Sequence, residues 1–171
     1  MPKTLSRTPL YTPAERERRD ASPWTVVQGV LAPLQFLLFG ISLVLVLRFL
    51  LTGNGLHEAM LSVLPKVAAL YAIMITGALW ERDVFGRYLF APAFFWEDAI
   101  SMIVILLHTA YLAALWLGVL PPRGLMLLAL LAYASYVVNA GQFVLKLRRA
   151  RQDPVLPSSF GQPVLAGEMA R

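Results

Sequence analysis

The chain of 171 residues has no cysteine and only two histidines. The missing thiols exclude disulfides, zinc–thiolate centres, iron–sulfur clusters and a cysteine nucleophile. Charged residues are also scarce, at 15% of the chain against 58% hydrophobic residues. A soluble domain of this length needs more charge to cover its surface. Since the apolar residues also fall in long blocks, we expect lipid to surround most of the chain.

Each of four apolar blocks is long enough to cross a hydrocarbon core, which takes about 20 residues. The blocks cover approximately residues 25–47, 59–80, 97–117 and 125–145. They predict an all-α polytopic membrane protein, a bundle of four transmembrane helices that forms one domain over residues 23–150. Residues 1–22 are predicted to be a cytoplasmic N-terminal tail, and residues 151–171 a disordered cytoplasmic C-terminal tail. Within the first tail, Thr12 followed by Glu15 predicts a short capped helix on the membrane surface.

Lysine and arginine mark one side of the membrane. They are dense in the N-terminal tail, in the loop between the second and third blocks, and after the fourth block, whereas the other two loops have only Arg48 and Arg123 at their edges. Basic loops face the cytoplasm, so both termini are predicted to lie there, in a multi-pass protein of the bacterial inner membrane. The basic residues flank apolar segments instead of lining a polar face, and we therefore expect no nucleic-acid partner.

Polar residues recur on one face of three of the predicted spans. They are Gln28, Gln35 and Ser42 in the first, Glu97, Ser101, His108 and Tyr111 in the third, and Ser135, Asn139 and Gln142 in the fourth. They are predicted to face the bundle interior, where they either bind neighbouring helices or contact a ligand. In the second span, Lys66 is predicted to extend its ammonium group to the membrane interface.

His108 lies near the middle of the third span, roughly 15 Å from either surface at 1.5 Å per residue. Two interpretations stay open: a hydrogen-bonded neutral imidazole, or an axial ligand to the metal of a tetrapyrrole. The predicted spans contain no second histidine and no cysteine. No metal site built by the protein itself is expected.

Two adjacent carboxylates, Glu97 and Asp98, begin the third span. They are interpreted either as helix-capping residues paired with Arg82 or Arg87, or as general acid–base groups. The loop of residues 85–96 before them is dense in aromatic residues and ends in Trp96. Such a loop is typical of an interfacial belt, or of a surface on which a flat apolar ring stacks.

Four long segments of the sequence resemble a known family. They are Tyr-Thr-Pro at 11–13 and the stretches 24–36, 84–98 and 136–143. These strings resemble the 3-vinyl bacteriochlorophyllide hydratases of anoxygenic phototrophic bacteria, over roughly residues 11–150. The resemblance implies a hydro-lyase that adds water to the C3 vinyl group of a chlorophyllide-type tetrapyrrole, giving a 1-hydroxyethyl group in bacteriochlorophyll biosynthesis. The alternatives are a non-catalytic pigment-binding or assembly protein and, less favoured, a small-solute carrier.

A mechanism follows as a hypothesis from this resemblance. A carboxylic acid protonates the terminal vinyl carbon, and water captures the resulting cation. Adjacent helical residues point about 100° apart, so we expect one of Glu97 and Asp98 to face the site, with Glu97 favoured because it shares a face with His108. The other expected substrate contacts are Arg87 or Arg82 on a propionate, His108 on the substrate magnesium, and Gln35, Asn139 and Trp96 in the lining.

Cofactors and partners complete these expectations. Hydration is redox-neutral and the magnesium belongs to the substrate, so no cofactor is expected. The expected partners are the tetrapyrrole, membrane lipids, other enzymes of the pathway and a further copy of the chain. The mechanism needs the polar side chains to converge on one cavity that holds a flat magnesium ring.

Overall fold

A computed structural model describes residues 10–152, and within them every regular element is an α-helix. The helices are α1 (Pro13–Ala21), α2 (Pro23–Thr52), α3 (Leu56–Phe85), α4 (Phe95–Leu117) and α5 (Pro122–Gln152). The last four are long and apolar enough to cross a membrane, which confirms the predicted four-span, all-α architecture. Predictions about residues 1–9 and 153–171 lie outside the described residues.

The helices that cross the membrane are longer than the apolar blocks, because polar turns at their ends continue the helical geometry. Helix α2 has 30 residues, or about 45 Å, and continues to Thr52. Gly53 then ends it in the left-handed conformation, with φ of 73°, and donates its N–H to the carbonyl of Phe49. Helix α3 ends in the same way at Gly86.

Helix α1 is short, and its first turn explains why it forms. The Thr12 hydroxyl accepts the N–H of Glu15 at 3.3 Å, and the Glu15 carboxylate accepts the N–H of Thr12 at 2.8 Å. This reciprocal capping confirms the predicted helix. Where α1 passes into α2, Ser22 donates to Asp83 at 2.8 Å, which holds this end of the chain against the end of α3.

The four long helices form two antiparallel hairpins, α2–α3 and α4–α5. Polar side chains join the first hairpin twice, with Gln28 donating to Thr76 at 2.7 Å and Ser42 bonding Ser62 at 2.8 Å. The two bonds lie fourteen residues apart on both helices, so the pair keeps a constant register along its length. Since four spans return the chain to its starting side, the two ends of the membrane domain share a side. Which side is cytoplasmic stays a prediction.

The seam between the hairpins is filled by large side chains. The ring of Phe39 on α2 lies 5.5 Å from the ring of Tyr133 and 5.1 Å from that of Tyr136, both on α5. Ser42 adds a hydrogen bond of 2.6 Å to the Tyr133 hydroxyl. The hairpins therefore contact each other chiefly through side chains, some of them polar.

The loop between α3 and α4 returns the chain over the end of the bundle. Phe90 in this loop has φ of 59°, the only positive value among the non-glycine residues that the structure describes. This conformation costs roughly 1–3 kcal/mol, so its surroundings must maintain it. The loop also turns its backbone N–H groups towards the carboxylates at the helix ends.

Candidate functional site

Three acidic residues and one lysine meet at the end of the bundle beneath the 86–94 loop. Glu81 comes from the last turn of α3, Glu97 and Asp98 from the first turn of α4, and Lys146 from α5. We call these four residues the carboxyl cluster. The three acidic residues are between 4% and 8% exposed. Buried carboxyl groups of this kind are expensive unless they are paired, so the arrangement needs a chemical or structural reason.

Glu81 and Asp98 form a pair held by the loop above them. The N–H of Phe90 donates to Asp98 at 2.7 Å, and the next N–H, that of Ala91, donates to Glu81 at 3.3 Å. The two carboxyl groups also lie close enough for the charge of Asp98 to act directly on Glu81. Two buried carboxyl groups this close are not readily ionised together. The arrangement therefore suits a pair that holds one proton between its members, next to an apolar ring cluster.

Glu97 has a different environment. Its carboxylate accepts from the Lys146 ammonium at 2.6 Å, and that ammonium also lies 4.7 Å from the centre of the Phe94 ring. This ion pair joins α4 to α5. The positive charge of Lys146 acts on Glu81 and Asp98 as well, and it is the one ammonium that the structure places among these acidic groups within residues 10–152.

The structure corrects two expectations about these carboxylates. Both Glu97 and Asp98 are buried, whereas only one was expected to face the interior, because Glu97 turns towards α5 and Asp98 towards α3. Neither pairs with Arg82 or Arg87. The Arg82 guanidinium lies 5.0 Å over the ring of Tyr88, and Arg87 is exposed, so both arginines stay on the outer surface of the same end.

Exposed aromatic residues surround the outer side of the cluster. Phe90 and Phe95 have ring centres 5.6 Å apart, and Phe95 and Trp96 are 5.5 Å apart. Together with Tyr88 they form what we call the aromatic patch, and all four are exposed. Phe90 links the two features, because its backbone binds Asp98 while its ring belongs to the patch.

A second polar centre lies deeper in the bundle. The Lys66 ammonium donates to Nε2 of His108 at 2.7 Å, and Nδ1 of His108 donates to the carbonyl of Val104 at 2.7 Å. The same ammonium lies 4.3 Å from the centre of the Tyr136 ring. Lys66 is fully buried, so the prediction that it extends to the membrane interface is wrong. The imidazole and the aromatic ring solvate its ammonium inside the seam instead.

These contacts occupy both nitrogens of His108, so ligation of a magnesium ion by His108 requires the Lys66 contact to open. Along α4, His108 also lies eleven residues from Glu97, which is about 16 Å. Glu97 and His108 therefore belong to two separate polar centres and not to the single cavity that was expected.

The remaining predicted contacts fall between or outside these centres. Gln35 is buried, and neither atom of its amide has a partner in the described part of the chain. Asn139 donates to the Ser101 hydroxyl at 2.8 Å, and its own oxygen lacks a donor there. Trp96 lies in the aromatic patch. An open groove of about 620 Å³ follows one face of α2, from Phe36 to Leu45, and includes none of these residues.

Sequence reasoning missed two members of the cluster, Glu81 and Lys146, as site residues. Glu81 carries a detectable signal, since an acidic residue in the last turn of a helix opposes the helix dipole and needs a compensating contact. Lys146 belongs to a run of basic residues that follows the last span. Its contact with Glu97 is visible only in the packing of α5 against α4.

Comparison with known proteins gives consistent matches over most of the chain. The family model of the 2-vinyl bacteriochlorophyllide hydratases matches residues 11–149, which include every residue of the carboxyl cluster. A 2-vinyl bacteriochlorophyllide hydratase of Rhodobacter capsulatus is 63% identical over 150 residues, 88% of this chain and 87% of the relative. One of Cereibacter sphaeroides is 63% identical over 145 residues, 84% of this chain and 89% of the relative. No solved structure matches.

Proposed function

The chain belongs to the 2-vinyl bacteriochlorophyllide hydratase family, and we propose that its carboxyl cluster is the place where water adds to the vinyl group. The protein is a hydro-lyase of bacteriochlorophyll biosynthesis. The locants 2 and 3 denote the same vinyl substituent in the older and the current numbering of the macrocycle. The substrate is thus a vinyl tetrapyrrole, and the product carries a 1-hydroxyethyl group.

The observation that carries this proposal is the buried contact between the Glu81 and Asp98 carboxyl groups beneath two backbone N–H groups, a pair that can hold one proton between its members. The pair gives its proton to the terminal carbon of the vinyl group, and the positive charge forms on the carbon attached to the ring, where the macrocycle delocalises it. Water forms a bond to this carbon and loses a proton, which returns to the carboxylate. The reaction adds one water molecule and is redox-neutral for the substrate as a whole. The step therefore calls for no redox cofactor.

The pair is a better acid than Glu97, which the sequence favoured. The Glu97 carboxylate already accepts from the Lys146 ammonium at 2.6 Å, so we propose a different role for it. Its charge, and those of the deprotonated pair, instead stabilise the cation that develops nearby. The buried position of the cluster strengthens this effect, because few water molecules screen the charges there.

The aromatic patch is the proposed surface on which the macrocycle rests. Phe90, Phe95 and Trp96 expose flat rings beside the cluster, and stacking on such rings suits a large planar substrate. Arg82 and Arg87 lie at the same end and suit the propionate carboxylate. His108 lies about 16 Å deeper along α4, so its ligation of the substrate magnesium stays a prediction.

Location and assembly are proposals of the same kind. Four long apolar helices make the chain a membrane protein, and we assign it to the bacterial inner membrane because its basic loops lie on one side. A hydrophobic pigment substrate dissolved in the same membrane fits this assignment. Association with a further copy of the chain or with other enzymes of the pathway is compatible with the broad apolar faces of the bundle.

The proposal is tested with Asp98→Asn and Glu81→Gln, which keep the shape of each side chain and remove the shared acidic proton. Each variant is expected to lose about 10²–10⁴-fold in turnover, the range for a general acid. Glu58→Gln is the matched control, because Glu58 is exposed at the opposite end of α3. Product is measured by the mass gain of one water and by the blue shift that follows loss of the vinyl conjugation.

Retained turnover in both pair variants would remove the carboxyl pair from the mechanism. Binding of the vinyl pigment, measured from its absorption spectrum in the detergent-solubilised protein, separates lost chemistry from lost folding. A variant that binds pigment normally but forms no product has lost the acid alone.

A further inference from the structure

Two carboxamide oxygens on α5 are buried without a donor. They are Oδ1 of Asn139 and Oε1 of Gln142, and no partner for either lies within the residues described, 10–152. Asn139 is more than nine-tenths buried. The two residues are three apart, so their side chains lie on the same face of the helix with their Cβ atoms about 5–6 Å apart.

This face points at the carboxyl cluster. Lys146, which pairs with Glu97, lies four residues after Gln142 on the same face of α5. On the opposing helix, the partner of Asn139 is Ser101, which lies three residues after Asp98 and four after Glu97. Asn139 therefore lies between α4 and α5, about one helical turn deeper than the cluster, and Gln142 shares its face of α5.

A buried carbonyl oxygen without a donor costs free energy, and more so within hydrocarbon. The site has two acceptors, and helical side chains three residues apart are close enough for both to reach one small molecule with bonds of ordinary length. A ligand of this size with two donor hydrogens is water. A second carboxylate or a carbonyl group of the substrate would offer no hydrogen to either oxygen.

We propose that Asn139 and Gln142 hold the water that attacks the substrate, an inference that rests on the proposed function. The water donates both hydrogens to the two carboxamide oxygens, which directs a lone pair away from them towards the cation. The carbon–oxygen bond then forms, and the proton released by the new oxonium passes to the carboxylate of the Glu81–Asp98 pair. Protonation and water delivery thus belong to different helices: α3 and α4 supply the proton, and α5 positions the nucleophile.

An experiment in D₂O can measure protonation of the vinyl group separately from capture of the cation by water. In D₂O the acid adds deuterium to the terminal vinyl carbon. A cation that water does not capture then returns a proton from the same carbon to the carboxylate, so the recovered substrate retains deuterium there. Asn139→Leu and Gln142→Met remove the acceptors at similar volume. Each is expected to lower product formation, by about a hundredfold in the double variant, while deuterium continues to enter the vinyl group at close to the wild-type rate of protonation.

Three comparisons make the experiment decisive. Gln28→Met is the same chemical change at a glutamine whose amide donates to α3, and it is expected to keep both activities. Asn139→Asp, which keeps an acceptor oxygen, is expected to form more product than Asn139→Leu. Asp98→Asn is expected to lose product and deuterium exchange together, and its failure to do so would contradict the carboxyl-pair acid instead.

Parallel loss of exchange and product in the Asn139 and Gln142 variants would overturn the water site, because it would mean that protonation itself had failed. Unchanged product formation in the double variant would overturn it as well. Equal losses in Asn139→Asp and Asn139→Leu would assign Asn139 to packing.

Discussion

A carboxyl group buried in a membrane bundle needs hydrogen-bond donors, and here the backbone N–H groups of single residues supply them. Consecutive N–H groups of Phe90 and Ala91 bind Asp98 and Glu81, and this requires the positive φ of Phe90. The strain is compensated by two charge-assisted hydrogen bonds, each worth about 1.5–3 kcal/mol. The same residue fixes the acid pair and exposes an aromatic ring to the proposed substrate.

The buried Lys66–His108 pair yields a prediction about stability. His108→Leu leaves the Lys66 ammonium buried without its hydrogen-bond acceptor, and a buried donor left unsatisfied costs about 1–3 kcal/mol, more when it is charged. Lys66→Met combined with His108→Leu removes both polar groups and is expected to cost much less. The measurement is the unfolding free energy of each variant in a mild detergent. If the double variant were as unstable as His108→Leu alone, the cost would come from packing and not from the unpaired charge.

Two exposed tryptophans on α4 provide a matched test of substrate binding. Trp96 belongs to the aromatic patch, whereas Trp116 lies twenty residues further along the helix, about 30 Å away, and is equally open to the surroundings. Trp96→Ala is expected to raise KM about 5- to 150-fold through the loss of roughly 1–3 kcal/mol of stacking, with kcat little changed. Trp116→Ala is expected to leave both constants unaltered. Steady-state kinetics decides, and equal effects at the two positions would remove the patch from binding.

At the level of whole elements, α1 covers the end of the bundle that carries the carboxyl cluster. Tyr11, just before α1, is buried against the rings of Phe85 and Phe94, with centroids 5.9 and 6.5 Å away. Burial raises the pKa of the Tyr11 phenol to about 12, so this contact stays uncharged at physiological pH. The family match begins at the same residue, which makes the covering segment part of what the relatives share.

Loss of the capping box is expected to loosen this element. Thr12→Ala removes the side chain that accepts the N–H of Glu15, and such changes cost about 0.5–2 kcal/mol. Since α1 contains Arg16, Arg18 and Arg19, trypsin reports its opening directly. We expect cleavage several-fold faster in Thr12→Ala than in the wild type, and unchanged cleavage in Thr109→Ala, a threonine outside α1. Equal rates in all three proteins would show that α1 is held by Tyr11 and Ser22 and not by its cap.

On the scale of the whole molecule, two hairpins meet at a seam that contains the Lys66–His108 and Glu81–Asp98 pairs. The carboxyl cluster is at one end of this seam and the Lys66–His108 pair is near its middle. The carboxyl cluster therefore lies at the end of the bundle that is predicted to face the cytoplasm. Under the proposed function, such a position gives a membrane-dissolved pigment and water access to the same carbon atom.

The sidedness of this arrangement can be tested because the chain has no cysteine of its own. Single variants Asp20→Cys, Asn54→Cys and Val119→Cys place one thiol at an exposed position of α1 and of each short turn. An impermeant maleimide applied from the periplasmic side is expected to label Asn54→Cys and Val119→Cys. It is expected to reach Asp20→Cys only after the membrane has been permeabilised. The reverse pattern would invert the assigned topology.

The sequence by itself determined the features that depend on local pattern and composition. Apolar length predicted four spans, the Thr12–Glu15 spacing predicted α1, and helical periodicity placed Ser101, His108 and Asn139 on inward faces. Each of these follows from neighbours within a few turns of one helix. Long specific strings such as residues 84–98 also identified the family, because such a run of side chains rarely occurs by chance in unrelated proteins.

The tertiary structure alone decided which of those inward groups meet. Glu81 joins Asp98, Lys146 joins Glu97, and Lys66 joins His108, and every one of these contacts links different helices. Periodicity gives the face of a helix but not its rotation or depth against another, and a shift of one turn moves a side chain by about 5 Å. For that reason the proposed acid changed from Glu97 to the Glu81–Asp98 pair only once the packing of the helices was known.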